Sequence, residues 1–275
     1  MRHATLLSFA LFVMSITLAA HAQTSAPATA SKTTASKTTA SKTPPKKPCP
    51  IKWEPIRDGM EHREIRCIDD LEDLDVHVVR VDPRKVKLDT VVVRGSNARN
   101  VARDNGSTFV INTNFFDKAR TPLGLIVKSG AITNRISTTG WQSIFLVTDR
   151  GTPYIILPPS WEDFRKRAHM AVQAGPRLVI RGHTAKVNRG YKAARAGVCI
   201  QWDRDLLFFA TPQDRKFTTT EIARVARIAE DQGGLACRDA MLFDGGHSTT
   251  MFADGDDAED IVVNGGPVPV FIVGK

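Results

Sequence analysis

The run Met241-Leu242-Phe243-Asp244-Gly245-Gly246-His247-Ser248-Thr249-Thr250-Met251 sets one carboxylate at the exit of an apolar segment, with two glycines and a row of hydroxyls behind it. Glycines let a backbone approach a ligand closely. Successive N–H groups in such a turn can form a nest for an anion. A carboxylate held there can act as a nucleophile or as the electrostatic partner of a cationic transition state. Asp-Gly-Gly is equally a hairpin turn, so the run does not decide its role alone.

Three other segments have residue types that suit the same chemistry. Asn112-Thr113-Asn114-Phe115-Phe116-Asp117 leaves the apolar run Thr108 to Ile111, and amides followed by aromatics offer hydrogen bonds beside a stacking surface. Asn and Asp also simply make turns. In Gln173-Ala174-Gly175-Pro176-Arg177-Leu178, Gly175 and Pro176 turn the chain while Gln173 stands on the preceding strand. Arg195 lies among Ala193, Ala194, Ala196 and Gly197. A guanidinium with small neighbours can meet a phosphate with two parallel donors, and a surface ion pair is the alternative.

In order, Asn-x-x-Phe-Phe at Asn112, Pro-x-Gly-Leu at Pro122, Gln-x-Gly-Pro-x-Leu at Gln173, Arg-x-Gly-Val at Arg195 and Leu-Phe-Asp-Gly-Gly-His-Ser at Leu242 resemble the phosphodiester glycosidase family. Val262-Val263-Asn264 followed by Pro267 resembles the family's ending, so the likeness runs from about Leu74 to Val273, on the side of its shorter bacterial branch. The resemblance implies a hydrolase that cleaves a sugar from phosphate at the anomeric carbon. With the residue readings above, it makes Asp244 and Arg195 the catalytic candidates. Asn112, Asn114, Phe116, Gln173, Gly175, Gly245, Gly246, His247, Ser248 and Thr249 are the substrate-binding candidates. Asp117 and Glu162 are candidates for a second carboxylate. His247, Asn114 and Ala194 depart from the family's usual residues around the pocket and leave the particular sugar open.

The expected partner is a carbohydrate or glycophosphate. No cofactor is expected and no metal ligands are assigned, although Asp244 with the acidic loop Asp254 to Asp260 leaves a hard divalent cation open. A metal-dependent phosphodiesterase and a non-catalytic saccharide-binding module are the rival readings.

Positioning these segments requires strands. Leu74 to Val81 nearly alternates, Val86 to Val93 resumes the pattern, and Ile144 to Thr148 with Tyr154 to Leu157 forms a hairpin across Asp149-Arg150-Gly151. Val198 to Trp202 with Leu206 to Ala210 forms another. Thr218 and Glu221 make a capping box ahead of an apolar face, and Gly233 is placed to end that helix; a shorter helix covers Asn97 to Asp104. The expected fold is α+β: a single domain of mixed, largely antiparallel sheet with one long helix at about 218–232 and a few short helices.

Residues 1–22 read as a signal peptide: Arg2 and His3 precede an uncharged run that ends in Ala20-His21-Ala22, so an exported protein, periplasmic or secreted, is expected. Residues 23–48 read as a disordered tether, since from Thr24 to Pro48 they reduce to Ser, Thr, Ala, Lys and Pro, a composition too polar to offset its chain entropy. Its five lysines offer a weak contact with an anionic envelope surface, beside the plainer reading of a solvated spacer. Of the net charge of +9, Arg2 and these lysines supply six, which leaves an ordinary body at 49–275 and argues against nucleic acid as a partner. Four cysteines in an exported chain allow three full pairings. Cys49 with Cys67 is favoured, and Cys199 and Cys237, beside apolar runs, are open to a reading as buried thiols, so the pairing is not fixed.

Overall fold

The computed structural model describes residues 51–68, 71, 74–138, 140–256 and 258–275. The expected signal peptide, the tether and Cys49 lie outside these residues.

Among the described residues, eighteen strands form three sheets. The largest follows the order Glu54–Arg57, Met60–Ile65, Val76–Val81, Leu206–Ala210, Ala196–Ile200, Asp239–Leu242, Arg177–Ile180, His183–Thr184. A second follows Ala131–Asn134, Ile126–Lys128, Ala168–Ala174, Ser143–Thr148, Pro153–Ile156. The third follows Ile261–Val263, Met251–Ala253, Phe109–Asn112, Val268–Gly274, Leu88–Ser96. Every pairing among the described residues is antiparallel, so the expected admixture of parallel strands is absent there. The two expected hairpins are present, with Leu146 opposite Tyr154 and Val198 opposite Phe208.

The sheets share one apolar interior. Phe109, Phe145, Phe208 and Phe243, drawn from or just beyond strands of all three, meet with ring centroids 4.8 Å apart for Phe109 and Phe208, 5.9 Å for Phe145 and Phe208, and 6.4 Å for Phe145 and Phe243. Strands such as Ala196–Ile200 and Leu206–Ala210 are buried on both faces. This explains why they read as continuous apolar runs with no alternation. Their second face is covered by the helix Thr219–Arg227, whose Ile222, Ala223, Val225 and Ala226 pack on Cys199, Leu207, Phe209 and Ala240. The helix Ala98–Asn105, capped by Asn97, packs on Val110 and Phe271 of the third sheet, and Trp161 of the short helix Trp161–Phe164 packs on Leu146 of the second.

Two expectations need correction. The capping box of Thr218 and Glu221 is present, but the helix has nine residues and does not reach Gly233. Ile228 leaves helical geometry and the chain doubles back, so the N–H groups of Leu235 and Cys237 bond the carbonyls of Val225 and Ala226. Those returning bonds satisfy carbonyls that a longer helix would have used itself. Cys199 and Cys237 are joined as a disulfide rather than being buried thiols, and Cys237 lies on that returning segment. Cys67 is also disulfide-bonded.

Candidate active site

The strand Asp239–Leu242 runs between Ala196–Ile200 and Arg177–Ile180, and its exit is where the separate motifs meet. Four backbone bonds fix the strand's end and exit: Leu242 N–H donates to Pro176 O at 2.9 Å, Phe243 N–H to Ala196 O at 2.8 Å, Asp244 N–H to Thr113 O at 2.8 Å and Gly246 N–H to Ala194 O at 2.8 Å. Asn112, buried beneath, donates from Nδ2 to Asp244 O at 2.7 Å and accepts from Thr250 N–H at 3.0 Å. One side chain therefore holds both ends of the Asp244–Thr250 segment. Gly245 passes so close to Ala194 that a Cβ there would lie 2.9 Å from its carbonyl oxygen. Gly246 has φ of +61° and open space where its Cβ would be, so the backbone is bare on that side.

Asp244 is largely removed from water. Burial pushes its pKa up to about 6, against the pull of hydrogen bonds from the Ser248 hydroxyl and the Gly245 N–H, which favour the charged form. Arg195 is 9% exposed. Its Nε donates to Phe217 O at 2.9 Å and Nη2 to Tyr191 O at 2.6 Å. Nη1 has no hydrogen-bond partner among the described residues, and a Cβ on Gly245 would lie 3.9 Å from it. Burial lowers the pKa of this guanidinium, Tyr191 and the Glu221 carboxylate act in the opposite direction, and among the described residues no carboxylate forms a salt bridge with it. Among the described residues the turn thus has a carboxylate and a guanidinium that form no salt bridge, each hydrogen-bonded by neutral groups. Such a pair can stabilise opposite charges on one bound molecule.

The other candidates divide by where their polar groups are engaged. Asn114 Nδ2 donates to Leu123 O and Leu125 O. Gln173 Oε1 accepts from the N–H groups of Leu125 and Ser137, and its Nε2 donates to Ser137 O. Both amides are buried and hold neighbouring loops. Gly175 precedes a cis proline, and a Cβ on it would lie 2.9 Å from Trp141 O. Phe116 packs with the cluster around Ala98 and Phe271. Its neighbour Phe115 instead meets Trp141 edge-on, 5.2 Å between centroids, and Trp141 is 52% exposed. His247 is exposed, whereas Thr249 is fully buried.

The expected nest of free amides is not found, because Gly245 N–H bonds the Asp244 carboxylate, Gly246 N–H bonds Ala194, and the N–H groups of Ser248 and Thr249 bond Gly245 O and Gly246 O. Among the described residues, the His247 N–H and Arg195 Nη1 are donors at the turn left without a partner. Asp117 is exposed and accepts from Thr121 N–H, and exposed Glu162 pairs with Arg165. In the acidic loop, Asp254 and Asp256 pair with Arg57 and Asp260 with Arg99, so these three carboxylates do not join Asp244. Residue types and spacing had not singled out Gln213, whose Nε2 donates to Gly246 O and Thr249 O, both at 3.0 Å.

No curated protein sequence matches this chain. Among solved structures, a hypothetical protein from Synechocystis aligns with a TM-score of 0.59 at 13% identity, over 82% of this chain and 63% of that one. The present chain therefore spans less than two thirds of that protein's length. The catalytic domain of zebrafish N-acetylglucosamine-1-phosphodiester alpha-N-acetylglucosaminidase, auto-inhibited by its pro-peptide, aligns with a TM-score of 0.57 at 15% identity, over 82% of this chain and 83% of that one. At these identities the likeness is one of fold. The sequence profile of the phosphodiester glycosidase family matches residues 105–273, more than half of the chain and all the motif segments that meet at Asp244. The chain belongs to the phosphodiester glycosidase family.

Proposed function

We propose that this protein is an exported hydrolase that cleaves a sugar 1-phosphodiester between the anomeric carbon and the phosphate oxygen. The observation that carries the reading is the turn at Asp244, where a carboxylate and a nine-tenths buried guanidinium, neither in a salt bridge among the described residues, flank one backbone stretch. A sugar phosphodiester develops positive charge at its anomeric carbon and keeps negative charge on its phosphate as the bond breaks. Arg195 Nη1 binds the phosphate side. Asp244, in its ionised form, faces the anomeric carbon as nucleophile or as electrostatic partner.

As the carbon–oxygen bond breaks, its electron pair stays on the phosphate oxygen, which leaves as a phosphomonoester. Water supplies the new hydroxyl at the anomeric carbon and gives its second proton to solvent. A phosphomonoester is a far better leaving group than a sugar alkoxide, so this step needs less help from a general acid. Family membership supports the hydrolase class, and the zebrafish neighbour's name supports the bond. The N-terminal sequence supports export, and the Cys199–Cys237 disulfide fits an oxidising compartment. The exposed Trp141, backed by Phe115, is suited to stack on a sugar ring.

Incubating the purified protein with a panel of sugar 1-phosphodiesters tests the proposal. The expected products are free sugar and an intact phosphomonoester in equal amounts. Binding without turnover would favour a saccharide-binding module, and activity abolished by a chelator would favour a metal-dependent enzyme.

A further inference from the structure

We infer that Gln213 is a positioning residue of the candidate site, the tip of a loop that bridges Arg195 to the Asp244 turn and holds the two at a fixed separation. The inference rests on the functional reading above only for the identity of the reaction; the bridge itself is geometric.

The loop follows the strand Leu206–Ala210 and is bonded at both ends. On one side Thr211 and Arg195 exchange two hydrogen bonds: Arg195 N–H donates to Thr211 Oγ1 at 2.9 Å, and Thr211 N–H donates to Arg195 O at 2.9 Å. The same hydroxyl donates to Arg215 O at 3.0 Å, and Arg215 N–H donates to Pro212 O at 3.1 Å, which closes the loop on itself. On the other side, Gln213 Nε2 gives its two protons to Gly246 O and Thr249 O, the carbonyls that bracket His247 and Ser248. Among the described residues, no other side chain bonds either carbonyl.

The backbone holds the turn at Gly246, whose N–H donates to Ala194 O, and at His247, whose carbonyl accepts from Gly266 N–H; Gln213 adds the side-chain hold. Residues Gly246–Ser248 form a single 3-10 turn without a side-chain cap, with bonds of 3.3 Å from Ser248 N to Gly245 O and 3.1 Å from Thr249 N to Gly246 O. Ser248 is the residue whose hydroxyl bonds the Asp244 carboxylate. Gln213 therefore acts on Asp244 through Ser248, and on the spacing to Arg195 through Thr211. A shift of about 1 Å in such a spacing is enough to cost on the order of 100-fold in rate. Besides Asp244, the ionisable groups around the turn are His247 on the turn, Arg195 across Gly245, and Asp214, Arg215 and Lys216 flanking Gln213 on the exposed side of the loop. The segments beneath it present Asn112, Thr113, Pro176 and Ala194, none of which titrates.

Gln213→Met keeps the length of the side chain and removes both donors, and Gln213→Glu sets a carboxylate against two carbonyls. Two readouts are taken on each variant and on the wild type: kcat and KM on the best sugar 1-phosphodiester, and the titration of the Asp244 carboxyl carbon by NMR. The bridge predicts a kcat lower by roughly 10- to 100-fold, with KM little changed. It also predicts an Asp244 titration displaced above its wild-type midpoint in both variants, further in Gln213→Glu because of its added negative charge. An Asp244 titration identical to wild type in both folded variants, with kcat preserved where turnover is seen, overturns the inference. If the wild type turns over no sugar 1-phosphodiester, the proposed reaction fails, and the carboxyl titration alone still decides the positioning role.

Discussion

Asp244 is a partly buried carboxylate without a salt bridge among the described residues, and this should be visible in stability as well as in rate. Its folded pKa of about 6 lies above its ordinary value of 3.8, so between these limits the folded protein binds more protons than the unfolded chain. Stability contributed by this group is complete below pH about 4 and is lost as pH rises through about 6. Asp244→Asn removes the penalty, so the variant should melt above wild type at pH 7 and lose that advantage toward pH 4, with a difference of roughly 3 kcal/mol at most. The same variant should lose on the order of 100-fold in kcat, since no negative charge then faces the reacting carbon. Melting curves at several pH values check the first half; equal displacement at every pH would refute the burial account. Arg195→Lys should reduce kcat/KM on the order of 100-fold despite keeping its charge, because a lysine lacks the three nitrogens that engage Phe217, Tyr191 and the ligand at once. Steady-state kinetics on a phosphodiester measures that loss, and near-normal turnover would remove Arg195 from the anion site. At this scale the sequence singled out segments that the fold gathers around the Asp244 turn, and it was less informative about the direction of their side chains. Arg195 and Asn112 do border the Asp244 turn, whereas Asn114 and Gln173 turn inward to hold loops, which an amide's type alone cannot reveal. Gln213 had no signal, since it follows Thr211-Pro212 in an ordinary polar loop and its partners are backbone carbonyls more than 30 residues away.

Among the elements, strands were the most legible, because apolar runs bounded by Gly, Pro and Asp leave few alternatives; Val198 to Trp202 with Leu206 to Ala210 is one example and the ending Val268–Gly274 another. The hairpin Glu54–Arg57 with Met60–Ile65 was not legible, since Glu61, His62, Arg63 and Glu64 carry no apolar alternation. The long helix failed for a tertiary reason. The capping box marked its start correctly, but its end was set by the returning segment Leu235 to Cys237, which no local rule foresees. That segment is tied to the large sheet by the Cys199–Cys237 disulfide, with a sequence separation of 38. Replacing both cysteines with alanine should lower stability by about 4 kcal/mol on chain-entropy grounds, read as a shift in the denaturant midpoint. An unchanged midpoint would show that packing alone secures the segment. Gly245→Ala is also expected to disrupt the site, since its Cβ would press on Ala194 O and displace the strand exit itself.

Across the whole described molecule, the site and the most conspicuous concavity are far apart in the strand registers. A groove of about 980 Å3 lined by Arg57, Arg80, Arg84, Asp82, Asp205 and Asp256, among others, lies where Val81 pairs with Leu206. Asp244 leaves the large sheet at the other end, where Leu242 pairs with Gly197 and Ala196 with Ala210. Most of the groove's charges are paired with one another, as in Arg84 with Asp82 and Arg80 with Asp205, so volume alone points away from the chemistry. Removing residues 1–48 should leave the melting temperature of the domain unchanged, because their composition has little to bury; a large drop would show that they pack against it. The family and the α+β class were legible from the order of the motifs and the apolar runs, whereas the closing of three sheets on one interior was not, because each strand's pattern is compatible with several partners. The central claim is the position of the broken bond, and it is tested most directly by turnover of a sugar 1-phosphodiester in water enriched in heavy oxygen, with both products examined by mass spectrometry. Cleavage at the anomeric carbon predicts the label on the released sugar and none on the phosphomonoester; label on the phosphate would contradict the account and make the protein a phosphodiesterase.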